Sequence, residues 1–128
     1  MKQQKTLGIW MDHAIANLLD LYSKKNNHMI ISEFTFSTKE KALDKSENLM
    51  HNKEQQMQEA YYKEIADEVL KYDTVLLFGP TNAKSELHNY LNEDLRFKDI
   101  KIDIKAADKM TDNQKEAFVR EHFEKQSM

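Results

Sequence analysis

TVLLFGPTNAKSELHNYL, residues 74–91, decides how this chain folds. Its first part, residues 75–78, is an unbroken apolar run of branched and aromatic side chains. A run of that length and composition is typical of a strand that is buried on both faces. Gly79 and Pro80 end the run, because glycine permits a positive φ and proline cannot donate to a sheet ladder. The segment therefore predicts a central strand followed by a tight turn.

A helix is predicted to follow this turn. Thr81 or Asn82 can cap its N-terminus, since both side chains accept hydrogen bonds from free backbone N–H groups. Helical spacing then places four apolar residues on one face of the helix: Ala83, Leu87, Tyr90 and Leu91. The helix would begin at the carboxyl edge of the central strand, which is where open α/β sheets usually bind ligands.

Composition limits the class of protein. The chain has 128 residues and a mass of 15.2 kDa, which predicts a single domain over residues 7–125. The net charge of −3 argues against a generally basic nucleic-acid-binding surface but leaves room for a local basic patch. The absence of cysteine excludes disulfides and thiolate metal sites. No apolar stretch approaches the ~18 residues of a membrane span, so we expect a cytoplasmic protein.

Three strands are predicted before the central one. Leu7, Ile9 and Met11 alternate with other residues in the period of a strand, and a second apolar run covers residues 14–22. Asp12 and His13 lie between the two runs, at a predicted hairpin turn. A polar turn at 23–28 leads into a third predicted strand at 29–36, in which Ile30, Phe34 and Phe36 share one face. The three strands form an antiparallel meander.

Residues 37–57 are polar and are interpreted as a flexible loop and the start of a helix. Helix-forming residues dominate from about Glu47, and the helix is expected to end near Lys71. Its apolar positions recur at helical spacing: Tyr61, Tyr62, Ile65, Ala66, Val69 and Leu70.

The last third of the chain adds an edge strand and a helix. Ile100, Ile102 and Ile104 alternate with polar residues, which predicts a strand at the edge of the sheet with one buried face. Thr111 and Gln114 have the spacing of a capping box at the start of a helix. This helix is expected to bury four residues: Ala117, Phe118, Val119 and Phe123.

The predicted order is β-β-β-α-β-α-β-α. Three antiparallel strands followed by alternating strands and helices predict an α/β fold, with a mixed five-stranded sheet and helices on both faces. This succession of elements is used by ribonuclease H-like folds.

Three stretches resemble a known family. GIWMDHAIANLL at 8–19, YYKEIADEVLKYDTVLLFGPTNAKSEL at 61–87 and ADKMTDNQ at 107–114, followed by FVREHF at 118–123, look like a family of small stand-alone bacterial proteins. That family is similar to the central (second) domain of the archaeal and eukaryotic peptide-chain release factor and of Pelota, the ribosome-rescue factor. The resemblance covers nearly the whole chain, but no Gly-Gly-Gln tripeptide occurs and peptide release is not implied. What it implies is a ribonuclease H-like fold and a link to translation, with the ribosome or RNA as partner.

Asp12 and His13 are the first candidate site. The two residues could act as an acid–base pair in a hydrolase or nuclease. The alternative is a structural role, since Asp at a hairpin turn often binds its own backbone. A two-metal nuclease is disfavoured because the fourth strand ends in Phe78, Gly79 and Pro80, without an acid. No metal site and no cofactor are predicted.

The turn after the central strand is the second candidate. Thr81, Asn82 and Lys84 lie at a helix N-terminus, where free N–H groups and a lysine can hold an anion such as an RNA phosphate. A plain capped turn explains the same residues without a ligand. Asp108 and Lys109 precede the last helix and would lie near Gly79 if the fourth and fifth strands are parallel neighbours.

Three functions remain open on these observations. The leading one is a non-enzymatic module that contacts the ribosome, RNA or a translation factor, and its predicted contact residues are Asp12, His13, Thr81, Asn82, Lys84, Asp108 and Lys109. The second is a hydrolase or nuclease that uses Asp12 and His13. The third is a homo-oligomeric interaction protein, for example a homodimer paired through the edge strand at 100–104.

Overall fold

A computed structural model describes the backbone of residues 5–32 and 47–126, with all side chains in these ranges except those of 47–54 and 126. The elements follow the predicted order: β1 Thr6–Met11, β2 Ile15–Leu19, β3 His28–Ile31, α1 Glu47–Val69, β4 Thr74–Gly79, α2 Ala83–Asn92, β5 Lys101–Ala106 and α3 Asp112–Gln126. Short 3-10 helices at Lys24–Asn26 and Leu95–Phe97 lie in the β2–β3 and α2–β5 connections.

The five strands form one mixed sheet in the order β3-β2-β1-β4-β5. β1, β2 and β3 pair antiparallel, which confirms the predicted meander. β4 runs parallel to β1 on one side and to β5 on the other, so β5 is an edge strand as expected. The fold class is confirmed as α/β with a ribonuclease H-like arrangement of the sheet.

β4 is the centre of the core. Every residue from Thr74 to Gly79 is buried, as the unbroken apolar run predicts. Its register places Val75 beside Leu7 and Leu77 beside Ile9. Parallel strands with helices on both faces require apolar side chains on both sides, and β4 supplies them.

One face of the sheet packs against α1 and α2. α1 is a 23-residue helix that begins at Glu47, where helix-forming residues begin to dominate the sequence. Its predicted apolar stripe is buried, except that Leu70 is only partly buried. The largest fully buried side chains on this face come from the helices and from three strands: Ile65, Val69, Leu87, Leu91, Leu7, Ile9, Met11, Leu18, Val75 and Leu77.

The opposite face packs against α3, which places helices on both faces of the sheet. Val119 lies directly against Gly8, where an added Cβ would overlap its methyl groups. Phe118 stacks on Phe78 with ring centroids 4.7 Å apart. The capping box is present, because Gln114 N donates to Thr111 Oγ1 at 3.2 Å and Thr111 N donates to Gln114 Oε1 at 2.9 Å.

The buried face of α3 differs from the prediction. Ala117 is exposed, so its predicted burial was wrong. Ala117 lies two residues before buried Val119, which places it on the opposite side of a helix with 3.6 residues per turn. Two polar residues take part in the packed face instead, since Lys115 and His122 are both buried. Lys115 covers the Trp10 ring, and His122 Nε2 lies 3.1 Å from Asp103 Oδ2.

The structure also refines the description of β3, α1 and β5. β3 ends at Ile31, and Phe34, Phe36 and residues 37–46 lie outside the described residues, so the predicted loop there stays a prediction. Residues 47–57 belong to α1. β5 has one partly buried apolar face as predicted, but Asp103 on its other face is also partly covered because α3 packs there.

Candidate functional site

The carboxyl ends of β1, β4 and β5 meet at one edge of the sheet, because the three strands are parallel. Gly79 accepts a hydrogen bond from Ala107 N at 3.1 Å, which holds the segment after β5 against the end of β4. The predicted contact residues follow these three strand ends along the chain: Asp12, His13, Thr81, Asn82, Lys84, Asp108 and Lys109. The topology thus brings them to one edge, although they are distributed over 98 residues of sequence.

Asp12 organises the β1–β2 hairpin turn. Its Oδ1 accepts hydrogen bonds from Ala14 N and Ile15 N, both at 2.8 Å. Its carbonyl oxygen accepts a hydrogen bond from the Tyr61 hydroxyl at 2.9 Å, which ties the turn to α1. One carboxylate oxygen of Asp12 is therefore used to shape the turn, as the structural alternative for this residue predicts.

His13 pairs with Glu86 rather than with Asp12. His13 Nε2 lies 3.1 Å from Glu86 Oε2, and the two side chains are 45% and 49% exposed. The other oxygen of Glu86 accepts a hydrogen bond from the Tyr62 hydroxyl at 2.8 Å. The result is a chain of hydrogen bonds from α1 through α2 to the hairpin, with an exposed imidazole at its end.

This chain of hydrogen bonds changes the acidity of its members. Burial alone would raise the pKa of Glu86, but the hydrogen bonds from His13 and Tyr62 outweigh it and hold the pKa below its ordinary value of 4.5. Burial raises the pKa of the Tyr62 phenol well above its usual range, and the bond to Glu86 raises it further. Burial likewise raises the pKa of the Tyr61 phenol. Both phenols are therefore hydrogen-bond donors at neutral pH.

In the turn after β4, the side chains of Thr81 and Lys84 bond to nearby backbone groups. Thr81 Oγ1 accepts from Ala83 N at 3.2 Å, whereas Asn82, at the N-cap position, makes no side-chain capping bond. Lys84 is 8% exposed, and its ammonium donates to the Thr81 carbonyl. Of these three residues, Asn82 is the exposed one.

Asp108 and Lys109 lie on the other side of the same edge and are exposed. The Asp108 carbonyl oxygen lies 3.4 Å from Trp10 Nε1, which donates to it. The Trp10 ring packs in the core, and the Lys115 ammonium lies 4.2 Å from its centroid. The indole thus fixes the segment that presents Asp108 and Lys109.

Sequence reasoning missed Glu86, Tyr62 and Lys115. Glu86 lies three residues after Ala83 in the first turn of α2, where an acid is ordinary, so its position carries no signal of its own. Its contact with His13 joins residues 73 positions apart. Only the tertiary arrangement of β1, α1 and α2 brings the two side chains together.

Among the described side chains of residues 5–32 and 55–125, no group of three or more His, Asp or Glu is placed to hold a metal ion. In the same part of the chain, none of the helices combines the length and the apolar character that a membrane crossing requires.

No family model matches the chain, and no curated protein matches it. Among solved structures, the chain is similar to Pelota from Archaeoglobus fulgidus, a protein described for its inter-domain structural plasticity. The TM-score is 0.57 at 9% sequence identity, over 94% of this chain and 32% of that one. This chain thus spans about a third of the length of the protein it matches. The likeness confirms the predicted resemblance in fold to Pelota, and at this identity it shows the fold alone.

Proposed function

We propose that this chain is a non-enzymatic cytoplasmic module that acts in translation and binds the ribosome or RNA through the carboxyl edge of β1, β4 and β5. The observation that carries the proposal is the convergence of exposed polar residues from three strand ends on that edge. Similarity in fold to Pelota over 94% of the chain supports the assignment to translation. The edge is also the place where open α/β sheets bind ligands.

The proposed contact groups divide into two kinds. His13, Asn82, Asp108 and Lys109 are exposed and are available to a partner. Asp12, Thr81 and Lys84 shape the turns that present them, because their side chains are engaged with nearby backbone. Lys109 is the one exposed lysine among these seven residues, which also include acids. This combination fits contacts with both phosphate and polar groups, and the net charge of −3 agrees with a local binding surface.

The experiment is sedimentation of a cell lysate through sucrose gradients at about 50 mM and about 200 mM salt, a range over which phosphate contacts weaken strongly. We expect the protein to migrate with ribosomes at low salt and to be released at high salt. Lys109→Glu should reduce the bound fraction several-fold. Lys98→Glu is the matched control, because Lys98 is also exposed but precedes β5, at the opposite edge.

Two results would contradict the proposal. The protein could stay at the top of the gradient at both salt concentrations. Alternatively, Lys98→Glu could reduce the bound fraction as much as Lys109→Glu, which would indicate a diffuse charge effect.

A second measurement uses purified ribosomes. Lys109→Glu removes one phosphate contact, so it should lower the magnitude of the slope of log K against log salt by about 1.

A hydrolase is the second candidate function. The pairing of His13 with Glu86 favours a hydrolase over other classes of enzyme. A carboxylate that orients an exposed imidazole is a common arrangement for a general base that activates water. This candidate predicts turnover of a simple ester or phosphodiester that is lost in His13→Gln and strongly reduced in Glu86→Gln. Turnover that persists unchanged in His13→Gln would exclude it.

A further inference from the structure

A cleft at the opposite edge of the sheet has no role in the function proposed above. It lies where β1 begins, where β2 runs into the β2–β3 turn and where α1 ends, and its volume is about 730 Å³. Cavities of roughly 300–1,000 Å³ are the usual size for small-molecule sites. We propose that this cleft binds a nucleoside phosphate, either free or as part of a single-stranded RNA.

The wall of the cleft is built around the buried carboxylate of Asp20. Its Oδ1 accepts from Tyr22 N and Ser23 N, each at 3.1 Å. Its Oδ2 accepts from the Tyr72 hydroxyl at 2.8 Å and from Asn26 Nδ2 at 3.3 Å. Four donors thus surround one carboxylate and hold the β2–β3 turn against the end of α1. A wall held in this way is ordered before a ligand arrives, which lowers the cost of binding.

The free charges in the cleft are positive. The Glu68 carboxylate is engaged by Lys71, whose ammonium lies 3.2 Å from both oxygens, and the Asp20 oxygens are occupied within the wall. Lys5 and Lys25 also line the cleft, and no carboxylate of the described residues lies within ion-pair distance of either ammonium. Two unpaired ammonium groups in one cleft favour an anionic ligand such as a phosphate.

The same cleft contains an exposed aromatic ring. Tyr22 is 80% exposed, although its backbone N–H is held by Asp20. The hydrogen bond holds the main chain of Tyr22 beside the cleft, and the exposed ring offers its faces for stacking on a base. Thr6 also lines the cleft, and its Oγ1 is buried without a hydrogen-bond partner in the part of the chain described.

Ring and charge together define the class of ligand. Inorganic phosphate would use the lysines but leave Tyr22 without a role, and a peptide of Asp and Glu residues alone offers no ring to stack on it. A nucleoside phosphate uses both, and the polar side chains of Ser23 and Asn26 can bond to the edges of a base or to a ribose.

The test is an NMR titration of the full chain with three probes: inorganic phosphate, uridine monophosphate and a short oligouridylate. We expect uridine monophosphate to shift the backbone amides of residues 20–28 in a saturable manner. Tyr22→Ala should weaken its binding about 10-fold, as loss of one stacked base does, without affecting the weaker binding of phosphate. Lys25→Glu should weaken the binding of all three probes.

Lys63→Glu is the matched control, because it makes the same change of charge at an exposed position on α1 outside the cleft. The proposal is overturned if Lys63→Glu weakens binding as much as Lys25→Glu, if uridine monophosphate binds no better than phosphate, or if Tyr22→Ala leaves its affinity unchanged. If none of these results is found, the proposal stands and the oligouridylate identifies the source of the ligand. Tighter binding of oligouridylate than of uridine monophosphate indicates RNA, and equal or weaker binding indicates a free nucleotide.

The Lys109→Glu sedimentation test concerns the other edge of the sheet. Failure of either proposal therefore leaves the other intact.

Discussion

Gly79 lies so close to Met11 that a Cβ atom on Gly79 would overlap the main-chain carbonyl oxygen of Met11. The contact joins the ends of β4 and β1, where the proposed contact surface begins. Gly79 also has a φ of +153°, which side chains larger than hydrogen rarely permit. The close contact with Met11 and the positive φ each require glycine at position 79.

Gly79→Ala should therefore lower the free energy of unfolding by at least about 2 kcal/mol, since a strained φ alone costs of order 1–3 kcal/mol. Urea denaturation measures the change. Asn82→Ala is the control and should change stability by less than about 0.5 kcal/mol, because Asn82 makes no side-chain capping bond. A loss of less than about 0.5 kcal/mol in Gly79→Ala would contradict the assigned backbone conformation.

Gly8 and Val119 should be energetically coupled. Gly8→Ala forces a methyl group into the side chain of Val119, whereas Val119→Ala leaves a cavity there. In the double variant the methyl group added by Gly8→Ala partly fills the cavity left by Val119→Ala. The losses of stability of the two single variants, added together, should therefore exceed the loss of the double variant by about 1 kcal/mol. A double-mutant cycle in urea measures this coupling, and additive single losses would show that α3 does not pack on β1 at this point.

The stabilising effect of Glu86 should depend on pH. Its pKa is lower in the folded chain than its ordinary value of 4.5, so its contribution is fully present above that value and is lost as the pH falls through the lowered pKa. Glu86→Gln should therefore be less stable than the parent at about pH 7, by less than about 1 kcal/mol because the pair is half exposed, and the difference should shrink as the pH falls below 4.5. Denaturation over a series of pH values measures the difference. Glu64→Gln is the matched control, because it removes the same charge at an exposed site on α1.

The hydroxyl of Tyr72 donates to the buried carboxylate of Asp20 at 2.8 Å. Tyr72→Phe should cost about 1.5–3 kcal/mol, the range for a hydrogen bond to a charged group, because the Asp20 carboxylate loses its shortest hydrogen bond. Tyr90→Phe is the matched control, since Tyr90 is partly buried and its hydroxyl makes no hydrogen bond to the described residues. Equal stability of the two variants would show that the Asp20 wall contributes little to folding.

Local chemistry explains which parts of the fold the sequence predicts. The apolar run at 75–78, the turn at Gly79 and the capping box at Thr111 each lie within a few residues, so propensity and spacing are enough to place them. The exposed position of Ala117 was missed because the partners of Lys115 and His122 lie far away in sequence. Lys115 and His122 can be buried on α3 because Lys115 packs over the Trp10 ring and His122 bonds to the Asp103 carboxylate.

By itself, the sequence determined the order of the elements, the antiparallel meander and the buried central strand. Periodicity, strand length and turn residues are local properties, and few sheet topologies satisfy them. Only the tertiary structure decided that His13 pairs with Glu86, that Lys84 turns back onto Thr81 and that Asp20 forms the wall of a cleft. Those outcomes depend on the relative placement of elements tens of residues apart, since a side chain takes whichever partner the packed core brings within hydrogen-bonding distance.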